Sequence, residues 1–273
     1  MANWAKIHIL MEWLSGNNFL LALAVCAAAA LSTVIGSLFV IFSREPNPRL
    51  LAFGLAFSGG AMVYVSLVEI FWKADAGFAA LHDPKTAYVY ATLAFFAGVL
   101  VLMAVDRWMP NPHAAITPGN GGDEHIKRLG VLAALAITAH NLPEGLATFL
   151  ATLDNPVVGI SLAAAIAIHN IPEGVSIAVP IYYATGSKRK AVIATVLSAL
   201  AEPVGALIGY AILAPFLGPA VFAVVFGMIA GAMVFLALDE LLPTAKRYAQ
   251  GHETVYGMVT GMAALAASLV LFK

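Results

Sequence analysis

Two six-residue stretches of this chain carry the side chains that could do chemistry: HNLPEG at residues 140–145 and HNIPEG at residues 169–174, each set in an otherwise apolar run. In both, a histidine and a glutamate stand four residues apart, so His140 with Glu144, and His169 with Glu173, each share one face of a helix. A hairpin turning near Pro156 brings the two copies together in antiparallel, because the midpoint of 140 and 173 coincides with that of 144 and 169. That places His140 level with Glu173 and Glu144 level with His169. At the rise of an α-helix, both pairs lie roughly 19 to 25 Å from the turn.

Two imidazoles and several carboxylates suit a borderline divalent cation: Zn²⁺ first, and equally Fe²⁺, Mn²⁺, Co²⁺ or Cd²⁺. Copper(I), which wants thiolates, fits poorly. Asn141 and Asn170 add amide oxygens. Pro143 and Pro172 each remove a helical hydrogen bond and release a carbonyl four residues back, on Ala139 and Ile168. Glu202, in ALAEPVGALIG, also precedes a proline in an apolar run and is a fifth ionisable candidate ligand. Met62 offers a thioether, although packing is the commoner use of such a residue. A lone intramembrane Asn or His is ordinarily interhelical glue, but five ionisable groups at matching depth on three helices ask for a partner. Metalloprotease chemistry is disfavoured, since that motif places glutamate directly after the first histidine and a second histidine at i+4.

The elements that must position these groups follow from composition. Of 273 residues, 61% are hydrophobic and 11% charged, against about 25% charged in soluble domains. The chain is therefore expected to be an all-α integral membrane protein. Apolar runs long enough to cross a bilayer fall near 19–42, 51–72, 87–106, 129–152, 158–184, 191–213, 220–242 and 254–272, giving eight transmembrane helices in one domain. Residues 107–128 form a loop between the third and fourth. An ionisable group held at that depth costs about 2.5 to 3.5 kcal/mol, which is why the cluster reads as functional.

The near balance of Lys and Arg 14 against Asp and Glu 15 offers no basic surface for nucleic acid. Locally, charge does discriminate. Arg44, Arg49, Arg107, Lys127, Arg128, Lys188, Arg189, Lys190, Lys246 and Arg247 fall on one side of the spans, and Lys6, Lys73, Lys85 and Lys273 on the other. The positive-inside rule assigns the first side to the cytoplasm and leaves both termini outside. The single cysteine, Cys26, reads as a small buried hydrophobe and excludes an intramolecular disulfide. The N-terminal stretch, with Trp4 and Trp13, reads as a short interfacial helix rather than a cleaved signal.

GAMVYVSLVE at residues 60–69 and GAMVFLALDE at 231–240 begin with four identities and end on Glu69 and Glu240. Gly36 and Leu38 match Gly205 and Leu207 more weakly. Because the two segments run in opposite directions across the membrane, helices 1–3 and 6–8 are expected to be inverted repeats around helices 4 and 5. Glu69 near the outer end and Asp239 and Glu240 near the inner end then mark the entrance and exit of a cation path. His113, Asp123, Glu124 and His125 in the long loop give a weaker metal-handling signal.

HNLPEG, HNIPEG, AEPVG in the sixth span and DELLP in the seventh together resemble the ZIP family (Zrt/Irt-like proteins), most closely its bacterial zinc-uptake branch. The likeness covers nearly the whole chain. It implies the eight-helix ZIP fold in a 3+2+3 arrangement and a secondary transporter moving divalent metal into the cytoplasm across the bacterial inner membrane, with no ATPase and no enzymatic step. It also implies an elevator-like motion of helices 1, 4, 5 and 6 against the rest. The family's binuclear site maps onto His140, Asn141, Glu144, His169, Asn170, Glu173 and Glu202, with Met62 beside them. Some members have aspartate where this chain has Asn170, which bears on the charge of the second metal position. Metal is thus cargo rather than cofactor. The partners are divalent ions and the lipid bilayer, with a homodimer left open. The competing readings are an intramembrane metalloenzyme that holds its metal tightly, and metal efflux, which needs the same ligands.

Overall fold

The computed structural model describes residues 17–42, 47–108, 138 and 141–272, and among these every regular element is a helix. In chain order they are α1 (Asn17–Phe42), α2 (residues 48–79), α3 (Pro84–Trp108), α4 (described over 141–154), α5 (Pro156–Thr185), α6 (Lys188–Leu213), α7 (residues 219–248) and α8 (Glu253–Phe272). All but α4, only part of which is described, are long and apolar enough to cross a membrane. The chain is a multi-pass membrane protein. The N-terminal stretch and most of the loop at 107–128, His113, Asp123, Glu124 and His125 included, lie outside the described residues.

Local chemistry sets the turns between helices. Asn47 caps α2 by accepting from the amides of Arg49 and Leu50, and Asn155 caps α5 by accepting from those of Val157 and Val158. Each is followed by a proline, whose missing N–H costs nothing in the first turn of a helix. Asn155 is the whole connection between α4 and α5. At the other end of α5, Gly186 takes φ 64°, a left-handed conformation that stops the helix cheaply only in glycine.

Helices α2 and α7 outrun the spans expected from hydrophobicity, 51–72 and 220–242. Segments that read as breaks, from Lys73 and from Pro243, remain helical to Ala79 and Tyr248. The apolar signal ends several residues before the helix does. Both helices also change winding at the same place. An 18-residue α segment, Pro48–Val65 or Pro219–Leu236, gives way to a five-residue π turn, Ser66–Ile70 or Ala237–Leu241, before the α-helix resumes. Pro243, which has no N–H to donate, sits just after the second π segment, where the irregular winding already interrupts the regular α-helical ladder.

Packing repeats the same correspondence. α2 lies against α8, and α7 against α3. A Cβ on Gly60 would strike the carbonyl of Met258 in α8, while one on Gly231, its counterpart in α7, would strike that of Phe95 in α3. Reciprocally, Gly261 sits on the Phe57 carbonyl and Gly98 on the Met228 carbonyl. These contacts form a group of α2, α3, α7 and α8. A second group forms where α1 packs on α5 and α6, and α5 on α6; α5 also touches α2 and α8, so it bridges the two.

Candidate metal centre

The α4–α5 hairpin sets Glu144 against His169: the imidazole Nε2 lies 2.6 Å from Glu144 Oε1, and both side chains are fully buried. When Glu144 is ionised it can only accept, and a neutral imidazole that donates to it through Nε2 keeps its lone pair on Nδ1. The companion pair, His140 with Glu173, falls on His140, which lies outside the described residues, as does Ala139. Near Pro172, the carbonyl that gains a side-chain donor is that of His169, from Ser58 Oγ in α2 at 3.2 Å.

The two asparagines do equivalent work on opposite sides. Asn141 Nδ2 donates to the Ser198 carbonyl of α6 at 3.2 Å, and Asn170 Nδ2 donates to the Ala29 carbonyl of α1 at 3.3 Å. Each amide has a second acceptor. For Asn141 it is Ser198 Oγ at 3.3 Å, which also accepts from Thr138 at 2.9 Å; for Asn170 it is Glu202 Oε1 at 2.7 Å. The glycine that closes each motif explains how the helices approach so closely. A Cβ on Gly145 would run into the Glu202 carbonyl, and one on Gly174 into the Thr33 carbonyl. Four helices thus meet at the doubled motif.

Burial decides what such a centre needs. Asn141, Glu144, His169, Asn170 and Glu202 are 0% exposed and Glu173 is 1% exposed, so bulk water cannot solvate them. Yet Asn141 Oδ1, Asn170 Oδ1, both oxygens of Glu173, Glu202 Oε2 and His169 Nδ1 have no partner at hydrogen-bond distance, Asn141 standing only within longer reach of Glu173 and Thr33 of Glu202. Buried polar groups are seldom left unpaired, because each costs about 1 to 3 kcal/mol. The unpaired atoms here are lone-pair donors, the complement of a cation. Glu173 lies within electrostatic reach of Glu144, and Glu202 within reach of both; three like charges held together without water also favour a cation between them.

Elsewhere the expected residues divide. Met62 is buried in the apolar core, as is Met233, its counterpart in α7. Glu69 lies in the π turn of α2 and pairs with Lys73 at 3.8 Å. Asp239 and Glu240 lie in the matching π turn of α7. There Asp106, from the end of α3, joins them, with one oxygen from each within 4.8 Å of the others. Among the described residues this is the trio of acidic, imidazole or thiol ligands that approaches so closely; at the centre Glu144 and His169 meet as a pair, with no third such ligand as near to both. Asp106 carried no signal in the sequence, where it reads as the polar end of a span. Asp154 was also missed. With Lys73, Asn155 and Phe226 it lines a cavity of about 470 Å³ between the α4–α5 turn, the C-terminal end of α2 and the N-terminal end of α7.

Comparison with known proteins gives a consistent picture. The ZIP zinc transporter family model matches residues 113–268. A protein of Stenotrophomonas maltophilia (strain K279a) named zinc transporter ZupT is 61% identical over 261 residues, covering 94% of this chain and 97% of its own. One of the same name from Neisseria meningitidis serogroup B is 60% identical, covering 94% and 98%. A third, from Chlorobium chlorochromatii, is 45% identical, covering 94% and 99%.

Proposed function

The chain belongs to the ZIP family of zinc transporters, and we propose that it carries Zn²⁺ into the cytoplasm across the bacterial inner membrane, with both termini outside. The carrying site is the centre built on the doubled motif: His140, Asn141, Glu144, His169, Asn170, Glu173 and Glu202. The observation that supports this most strongly is the set of buried, unpartnered oxygen and nitrogen lone pairs beside the Glu144–His169 contact. A dehydrated divalent ion would satisfy them together, with no covalent step.

The same donor set would accept Fe²⁺, Mn²⁺, Co²⁺ and Cd²⁺, since nitrogen and oxygen sites discriminate among these by geometry and supply. Glu69 stands at the outer approach and Asp239 and Glu240 at the inner one, where Asp106 adds a third carboxylate. Uptake runs down the inward metal gradient. Because carboxylates must be deprotonated to bind metal, acid should slow it.

Substituting Glu144 or Glu173 by alanine tests the reading in a metal-starved strain. Zinc accumulation should be lost while the protein stays in the membrane. Unchanged accumulation would remove the site.

A further inference from the structure

The contacts of the two asparagines define a local pseudo-symmetry that assigns partners across the centre. Asn141 and Gly145 on α4 meet Ser198 and Glu202 of α6; Asn170 and Gly174 on α5 meet Ala29 and Thr33 of α1. Thr33 therefore occupies, on α1, the position that Glu202 occupies on α6. Gly36 and Gly205 continue the correspondence one turn on, packing on Ile171 and Leu142.

Thr33 is 0% exposed, and the polar side chain within longer reach of its Oγ1 is the Glu202 carboxyl; the hydroxyl makes no hydrogen bond to its own helix. That is unusual for a threonine within a helix, whose hydroxyl ordinarily bonds the carbonyl four residues back, as those of Thr148, Thr152 and Thr195 do here. For Thr33 that carbonyl belongs to Ala29, and it already accepts from Ser32 Oγ at 2.5 Å and from Asn170 Nδ2 at 3.3 Å. With its local acceptor occupied, the hydroxyl stands beside the Glu202 carboxyl, whose Oε2 is also unpartnered. A carboxylate at this position would add a fourth to Glu144, Glu173 and Glu202 in a water-free space; an alcohol offers a donor and a neutral oxygen instead.

We propose that Thr33 is a positioning and specificity-determining residue of the transport site, orienting Glu202 toward the divalent ion and holding the α1 side of the centre neutral. The inference rests on the central site proposed above, and the experiment separates the two.

Zinc uptake as a function of Zn²⁺ concentration would be measured for Thr33→Val, which keeps the shape and removes the hydroxyl, for Thr33→Ser, which keeps the hydroxyl, and for Glu202→Gln, each normalised to protein in the membrane. Loss of the hydroxyl that the ion-loaded Glu202 carboxylate would accept from predicts a KM for zinc raised about tenfold in Thr33→Val, with Thr33→Ser within about twofold of the parent. A parental KM in Thr33→Val, or an equal defect in Thr33→Val and Thr33→Ser, overturns the role of Thr33. If Glu202→Gln transports as the parent does, the central site itself is wrong. An impaired Glu202→Gln beside a normal Thr33→Val rejects Thr33 alone.

Discussion

Asn141 and Asn170, 29 positions apart on adjacent antiparallel helices, each donate an amide hydrogen to a backbone carbonyl of a different neighbouring helix, that of Ser198 on α6 and of Ala29 on α1. This relationship explains the repeated motif better than ligation alone does. In each copy the asparagine ties on the facing helix and the glycine lets it approach, while Glu144 of one copy meets His169 of the other.

The glycines make the first prediction. Gly145→Ala and Gly174→Ala should both destabilise the protein, by about 1 to 3 kcal/mol as for other overpacked sites, since each new methyl meets a backbone carbonyl that cannot swing away. Gly54→Ala is the control, because its Cβ would lie 3.8 Å from Pro172 Cβ, an ordinary contact. It should be neutral or gain about 0.5 to 1 kcal/mol. Thermal unfolding in detergent would separate them, and equal behaviour of all three would contradict the packing described.

Asn170 and Glu202 should be energetically coupled. Asn170→Leu strands a buried carboxylate that now accepts at 2.7 Å, whereas Glu202→Leu alone strands an amide. The double variant leaves neither, so its cost should fall short of the sum by about 0.5 to 3 kcal/mol. Strict additivity would show that the pair does not interact.

Much of the centre was legible in the sequence for a simple reason. Helical periodicity and hairpin reflection are geometric, so they placed Glu144 level with His169 with no knowledge of the neighbouring helices. The likeness of 60–69 to 231–240 likewise anticipated an equivalence now visible in paired π turns and reciprocal glycine contacts. What escaped notice depends on the partner. Ala29 and Ser198 serve through their carbonyls, which every residue possesses, and Asp106 gains meaning only from the approach of α3 to α7. Hydropathy could not find the ends of α2 and α7 because charged residues, Lys73 and Asp75 in one and Lys246 and Arg247 in the other, interrupt the apolar run before the helix stops.

Topology gives a further test. Arg49 bonds Gln250 at 2.8 Å and Lys188 bonds the Ile41 carbonyl at 2.7 Å at one end of the bundle, while Lys73 and Asn155 line a cavity at the other. With Cys26, the only cysteine, replaced by serine, a membrane-impermeant maleimide applied to intact cells should label Lys85→Cys and spare Arg189→Cys until the cells are opened. The reverse pattern would invert the orientation.

Glu144 also makes a graded prediction. Glu144→Gln retains a carbonyl oxygen to accept from His169 but loses the charge, whereas Glu144→Ala loses both. Removing a group that orients a metal-binding imidazole typically costs 10- to 100-fold in affinity, so the alanine variant should weaken zinc binding by at least about tenfold and the glutamine variant by less. Calorimetric titration with zinc would give the order, and an alanine variant that binds as tightly as the parent would be incompatible with the pairing.

X-ray absorption at the zinc edge of the purified, zinc-loaded protein examines the coordination itself. The account predicts nitrogen and oxygen neighbours at about 2.0 to 2.2 Å, with an imidazole signature that weakens in His169→Ala. A sulfur shell near about 2.3 Å, or a spectrum unchanged by that substitution, would place the metal elsewhere.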